Sequence, residues 1–98
     1  MNIVTLEEAK ERLSIDFDTK DNEITIMANS IESYLSFATG INFGQYAYVP
    51  PDGDCVLNLA KEYVLLKLYL DYYNAHTEID DLRLTHIIKQ LQVVAHVI

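Results

Sequence analysis

Residues 56–73 read VLNLAKEYVLLKLYLDYY, and their only strongly polar side chains are Asn58, Lys61, Glu62, Lys67 and Asp71. A helix this apolar around most of its circumference must be covered on several sides. At ~1.5 Å per residue it spans roughly 27 Å, about the diameter of a small domain. Its charges interrupt it too often for a membrane span, which needs about 20 nearly uncharged residues. The reading is an all-α fold: a small bundle of about four helices around a central apolar helix over residues 55–74.

The rest of the chain supplies the cover. Thr5-Leu6-Glu7-Glu8 is a capping box, which opens a short first helix with Leu6, Ala9 and Leu13 on one stripe. The period is lost over Ser14–Asp18, where Ile15 and Phe17 are expected to anchor a loop. A second helix starts near Asp18 or Asp21, both suitable N-caps, and ends at Gly40, the residue type favoured just past a helix C-terminus. Its main stripe is Ile24, Met27, Ala28, Ile31, Leu35 and Ala38. Residues 41–54 hold both prolines and two of the three glycines, together with Phe43, Tyr46 and Tyr48, and read as a packed loop. Its Pro50-Pro51-Asp52-Gly53-Asp54 end is turn chemistry, and either aspartate can cap the central helix. The central helix is expected to fray at Asn74-Ala75-His76. A last helix begins near Asp80 or Asp81, with Leu84, Ile87, Ile88, Leu91, Ala95 and Ile98 on one stripe.

Ninety-eight residues, half of them hydrophobic, fit a single domain over 1–98. Fifteen acids against seven basic residues give a formal charge of −8, and the cations are scattered, so autonomous binding to DNA or an anionic membrane is not expected. A single cysteine, Cys55, fits a reducing compartment. The first twelve residues carry acids and no apolar run, so no secretion signal is expected and synthesis is placed in a cytoplasm.

No residues read as a catalytic site. His76, His86 and His96 are ten residues apart; ten residues is about 1000° of helix, which turns His86 and His96 roughly 80° from each other. They read as surface or boundary residues, and no metal or cofactor is expected. Cys55 opens the central helix between acids that oppose a thiolate and reads as incidental. Asp16, Asp18 and Asp21 lack the glycine of a calcium loop and read as helix caps. Tyr63, Tyr69, Tyr72 and Tyr73 read as core and boundary residues, because a stacking platform would need a cationic groove. The phosphate-loop, nucleophile-elbow and zinc-protease patterns are missing, so an enzyme is not expected.

Surplus hydrophobicity is left over. Ile26 and Phe37 are eleven residues apart, about 1100°, so they project within roughly 20° of one another. They lie nearly opposite the main stripe, with Ser30 and Ser33 between them. Leu82, Val93 and Val97 likewise face away from the stripe of the last helix. Ile26, Phe37, Val93 and Val97 are the candidate subunit-interface residues.

The order of these signals resembles the small head-tail connector (adaptor) family of tailed bacteriophages and prophages. The likeness is carried by Leu6, Glu8, Ala9, Lys10, Leu13, Ile15 and Asp16, then the acidic turn Asp18–Asp21, then Tyr34, Leu35, Thr39 and Gly40. A proline-containing loop follows, and a helix from Ala60 to the tag Tyr72-Tyr73-Asn74; where relatives often carry an arginine after the tag, this chain has Ala75-His76. The resemblance covers essentially the whole chain. It implies a structural virion protein at the head-tail joint, acting in head completion and DNA passage. Copies would assemble as a homo-oligomeric ring, alone or on the portal protein. The partners would be that portal and a tail-completion or stopper protein, with DNA passing through the channel without specific binding. Surplus acids lining that channel would keep DNA from sticking. A second reading from another class is a small acidic regulatory module, antitoxin-like or DNA-mimicking, directed at a basic protein.

Overall fold

A computed structural model of the chain describes residues 3–41, 43 and 52–97, with the backbone alone for 52–55 and 94–97. The described residues form four α-helices and no strand: α1 Leu6–Leu13, α2 Asp21–Thr39, α3 Asp52–Tyr72 and α4 Glu78–Val97.

Local chemistry sets most of the boundaries. The capping box forms at α1: the Glu8 N–H donates to Thr5 Oγ1 at 3.1 Å and the Thr5 N–H donates to Glu8 Oε1 at 2.9 Å. That second bond, with Lys61 behind it, holds the Glu8 carboxyl below its ordinary pKa although partial burial works the other way. Ser14 closes α1 in the left-handed conformation, φ 58°. Gly40 closes α2 at φ 75°, as its position predicts, and its N–H donates to the Ser36 carbonyl at 2.9 Å.

Three boundaries differ from the sequence reading. α2 begins at Asp21, but its N-cap is Lys20 with no side-chain cap. Asp18 and Asp21 instead hold Lys10, whose Nζ lies 2.9 Å and 2.8 Å from their carboxylates. Those contacts, Asp21 first, raise the Lys10 pKa and fasten α1 to the start of α2. α3 begins at Asp52, so Asp54 lies inside its first turn and is not a cap. α4 begins at Glu78 because Thr77 caps it: the Asp80 N–H donates to Thr77 Oγ1 at 3.1 Å, and Thr77 Oγ1 donates to the Asp80 carboxylate at 2.8 Å. Asp80 and Asp81 therefore sit in the first turn, where their charge suits the helix dipole. Asp52-Gly53-Asp54, read as the end of a proline turn, is instead the first turn of α3; residues 44–51 of that loop lie outside the described residues.

The core is one cluster. Leu13, Ile24, Leu35, Leu68, Leu91, Val4 and Val64 are fully buried in it. On α3, Val56, Ala60, Tyr63, Val64, Leu68 and Leu70 are buried, and Leu57, Leu59, Leu65, Leu66 and Tyr72 are partly so. Only Asn58 and Tyr69 of its described side chains are exposed, and they project within about 20° of each other. The apolar circumference of α3 is thus covered, as its composition demands. α2 shares the centre, for it too packs against the other three helices. Ile15 anchors the first loop as expected, whereas Phe17 is half exposed and does not. Ile41 and Phe43 are buried, so the segment after α2 is packed where it is described.

Polar contacts fix the helix directions. Lys10 meets Asp21 while the Val4 N–H donates to Glu32 Oε2 at 3.2 Å, so α1 and α2 run antiparallel. Arg83 pairs with Glu62 across the α3–α4 hairpin. Gln92 Nε2 donates to the Ala38 carbonyl at 2.9 Å, and Tyr34 lies beside Leu84 and Ile88, so α4 runs parallel to α2. Tyr73 donates its hydroxyl to the Leu13 carbonyl and ties the end of α3 to the end of α1.

Candidate interaction surface

The side of α2 that faces away from α3 is uncovered. With Ile24, Ala28, Ile31 and Leu35 turned inward, helix geometry turns Ile26 and Phe37 outward, and they are 58% and 89% exposed. Asn29, Ser30 and Ser33 between them are exposed as well. From Ile24 to Thr39 the only charged residue is Glu32, which is buried against the Val4 N–H. From Ile24 onward the outer face of α2 therefore carries no charge, in a chain whose formal charge is −8.

The outer face of α4 is a second apolar ridge. Leu82 is 63% exposed and Val93 65%, and Ile79 joins them at 80%. The Val97 side chain lies outside the described residues. Ile79 escaped sequence reasoning because the helix was started at Asp80 or Asp81; the Thr77-x-x-Asp80 pattern is the signal that would have included it. His86 and Lys89 stand exposed along the same ridge. Charge is segregated along the chain: all fifteen acids fall in residues 1–81, and 82–98 hold Arg83 and Lys89 and no acid.

Between α2, α3 and α4 lies an open cleft of about 420 Å³, bordered by Tyr34, Tyr63, Lys67, Asp81, Thr85 and Ile88. Burial pushes the Tyr63 hydroxyl up to about 12, with Tyr34 and Asp71 adding to it, so this phenol stays protonated and has no acid–base role near neutral pH. Tyr63 is core; Tyr69, Tyr72 and Tyr73 form an aromatic group at the end of α3, with ring centroids 5.2 Å (Tyr69–Tyr73) and 5.0 Å (Tyr72–Tyr73) apart.

At the α3–α4 corner His76 stands between two carboxylates. Its Nδ1 is 2.7 Å from Asp81 Oδ1 and its Nε2 is 2.6 Å from Asp71 Oδ1. Two carboxylate partners require both ring nitrogens to donate, which is the imidazolium form. The bond to Asp81, then that to Asp71, raises the His76 pKa; slight desolvation and the nearby Lys67 oppose it. Asn74 at φ 50° makes the turn that brings the ring there.

His86 is exposed on the α4 ridge, away from His76 at the corner, and the His96 and Cys55 side chains lie outside the described residues. Among the described residues no group of three or more His, Cys, Asp or Glu is placed to hold a metal ion. Of the cations, Lys10, Lys20, Lys61, Lys67 and Arg83 are each paired with an acid. No helix among the described residues is long and apolar enough to cross a membrane.

Fold and surface together define a small all-α bundle with a filled core and two uncovered apolar faces on different helices. Scans against protein-family models, curated proteins and solved structures returned no match.

Proposed function

We propose that this chain is a non-enzymatic virion component, a head-tail connector that assembles as a ring below the portal at the capsid vertex. The observation that carries the reading is the pair of apolar faces on α2 and α4, left exposed by a bundle whose core is already closed. Ring contacts are heterologous: two different patches of each subunit meet head to tail and the rotation closes. A single self-complementary patch would serve a dimer, and two distinct patches serve a ring. Glu7 and Glu11 on the outside of α1, and Asp16 after it, are exposed acids available to line a channel that repels phosphate.

The test is the native mass of the purified protein over a wide concentration range, with micrographs of any large species. Closed rings support the reading. The surplus acid in residues 1–81 favours a second reading, a mimic that binds a basic protein. That reading expects one-to-one or dimeric complexes with a cationic partner and no ring.

A further inference from the structure

We propose that the outer face of α4 in one copy docks antiparallel on the outer face of α2 in the next, with Val93 against Ile26 and Leu82 against Phe37. The inference deepens the ring reading and rests on it.

Spacing is the first argument. Ile26 and Phe37 are eleven residues apart, and so are Leu82 and Val93. Each pair therefore spans about 16.5 Å of helix, and the bulky ends of the two ridges coincide. Bulk between the ends is complementary. α2 offers the small Ser30 and Ser33, where α4 presents His86 and Lys89. Large side chains on one helix fill the saddle on the other, and the His86 ring and the Lys89 ammonium meet serine hydroxyls that can bond them. Two α2 faces set antiparallel would leave a gap over four serines, and two α4 faces would crowd His86 and Lys89 of both copies between their ends.

Charge fixes both the partner and the direction. α2 carries Asp21, Glu23 and Glu32 and no cation, whereas α4 from Leu82 onward carries Arg83 and Lys89 and no acid. A parallel pair would set Asp21 and Glu23 beside Glu78, Asp80 and Asp81, acid on acid at two helix N-termini. The antiparallel pair separates those groups and sets the acidic start of α2 against the end of α4 beyond Val93, where the sequence holds no acid. Two helices meeting along ~16 Å cover less than the roughly 800 Å² per partner of a standard stable interface, so one contact alone is weak. Ring closure, in which every copy makes two contacts, holds the assembly.

The experiment mixes two full-length variants, Phe37→Asp and Val93→Asp, at the highest soluble concentration in an analytical ultracentrifuge. Each spoils one face and keeps the other. Each alone should be monomeric, and the mixture should form a dimer that grows no further. In a Cys55→Ser background, Ile26→Cys mixed with Val93→Cys should cross-link on oxidation, and Ile26→Cys mixed with Leu82→Cys should not. A mixture that stays monomeric while the wild type oligomerises overturns the docking, as does cross-linking to position 82 in place of 93. A wild type that never associates and gives no cross-link overturns it too. Open filaments from the wild type beside a dimeric mixture keep the docking and remove the ring; closed rings beside an inert mixture do the reverse.

Discussion

Leu35 and Phe37 stand two residues apart on α2 and belong to opposite sides of the molecule, so one pair of substitutions separates folding from assembly. Leu35 is fully buried. Replacing it with Ala removes three carbons from a closed core and should cost about 2–5 kcal/mol. For a chain of this size that lowers Tm by roughly 10–30 °C. Phe37 is 89% exposed, so only about a tenth of its surface is lost to solvent contact in the folded chain. A tenth of ~200 Å² is ~20 Å², worth about 0.5 kcal/mol. Phe and Asp have similar helix propensities, and a carboxylate in the last turn of α2 adds a few tenths of a kcal/mol against the helix dipole. Phe37→Asp should therefore cost about 1 kcal/mol in folding and abolish self-association. Thermal unfolding followed by circular dichroism reads the first quantity, and native mass reads the second. A Phe37→Asp protein that unfolds as early as Leu35→Ala would mean that the ridge is folded into the core. One that assembles like the wild type would exclude the ridge as an interface.

Other outcomes follow from the same geometry. Because the folded pKa of His76 is raised, its bridge contributes in full below the unfolded value of about 6.5 and is lost as pH rises through the folded value. The stability gap between wild type and His76→Gln should thus be widest below the unfolded value and shrink as pH rises through the folded value, and a gap that does not change with pH would show that the ring does not bridge as imidazolium. Thr5→Ala removes the hydroxyl half of the α1 capping box and should cost about 0.5–2 kcal/mol in denaturant unfolding; no change would mean that α1 is held by packing alone. At Gly40 an added Cβ meets nothing within 4 Å, so Gly40→Ala tests the positive φ by itself. The expected loss is roughly 1–2 kcal/mol, and an unchanged Tm would argue against a left-handed residue there.

What the sequence made legible was local or periodic. The Thr5/Glu8 box, the Gly40 stop and the all-round apolar α3 are each decided by neighbours within one or two helical turns, and each stands as read. The failures are tertiary. Asp18 and Asp21 look like caps until Lys10, on another helix, takes both of them. Asp80 and Asp81 drew the start of α4 away from Thr77, whose own side chain completes the cap, and Ile79 went unnoticed in consequence. The His76 bridge joins residues five apart on either side, a spacing that no helix period favours; it exists because a left-handed Asn74 folds the corner. The two outer ridges were visible as misplaced hydrophobes, since a stripe opposite the core is readable from the 3.6-residue period alone. That both faces stay uncovered is a property of the fold, which the period alone does not give.

Native mass across a wide concentration range, with electron micrographs of the largest species, tests the account most directly. It predicts closed rings that are lost in Phe37→Asp. A mass fixed at one or two copies at every concentration, with a one-to-one complex forming on a basic protein partner, would contradict it.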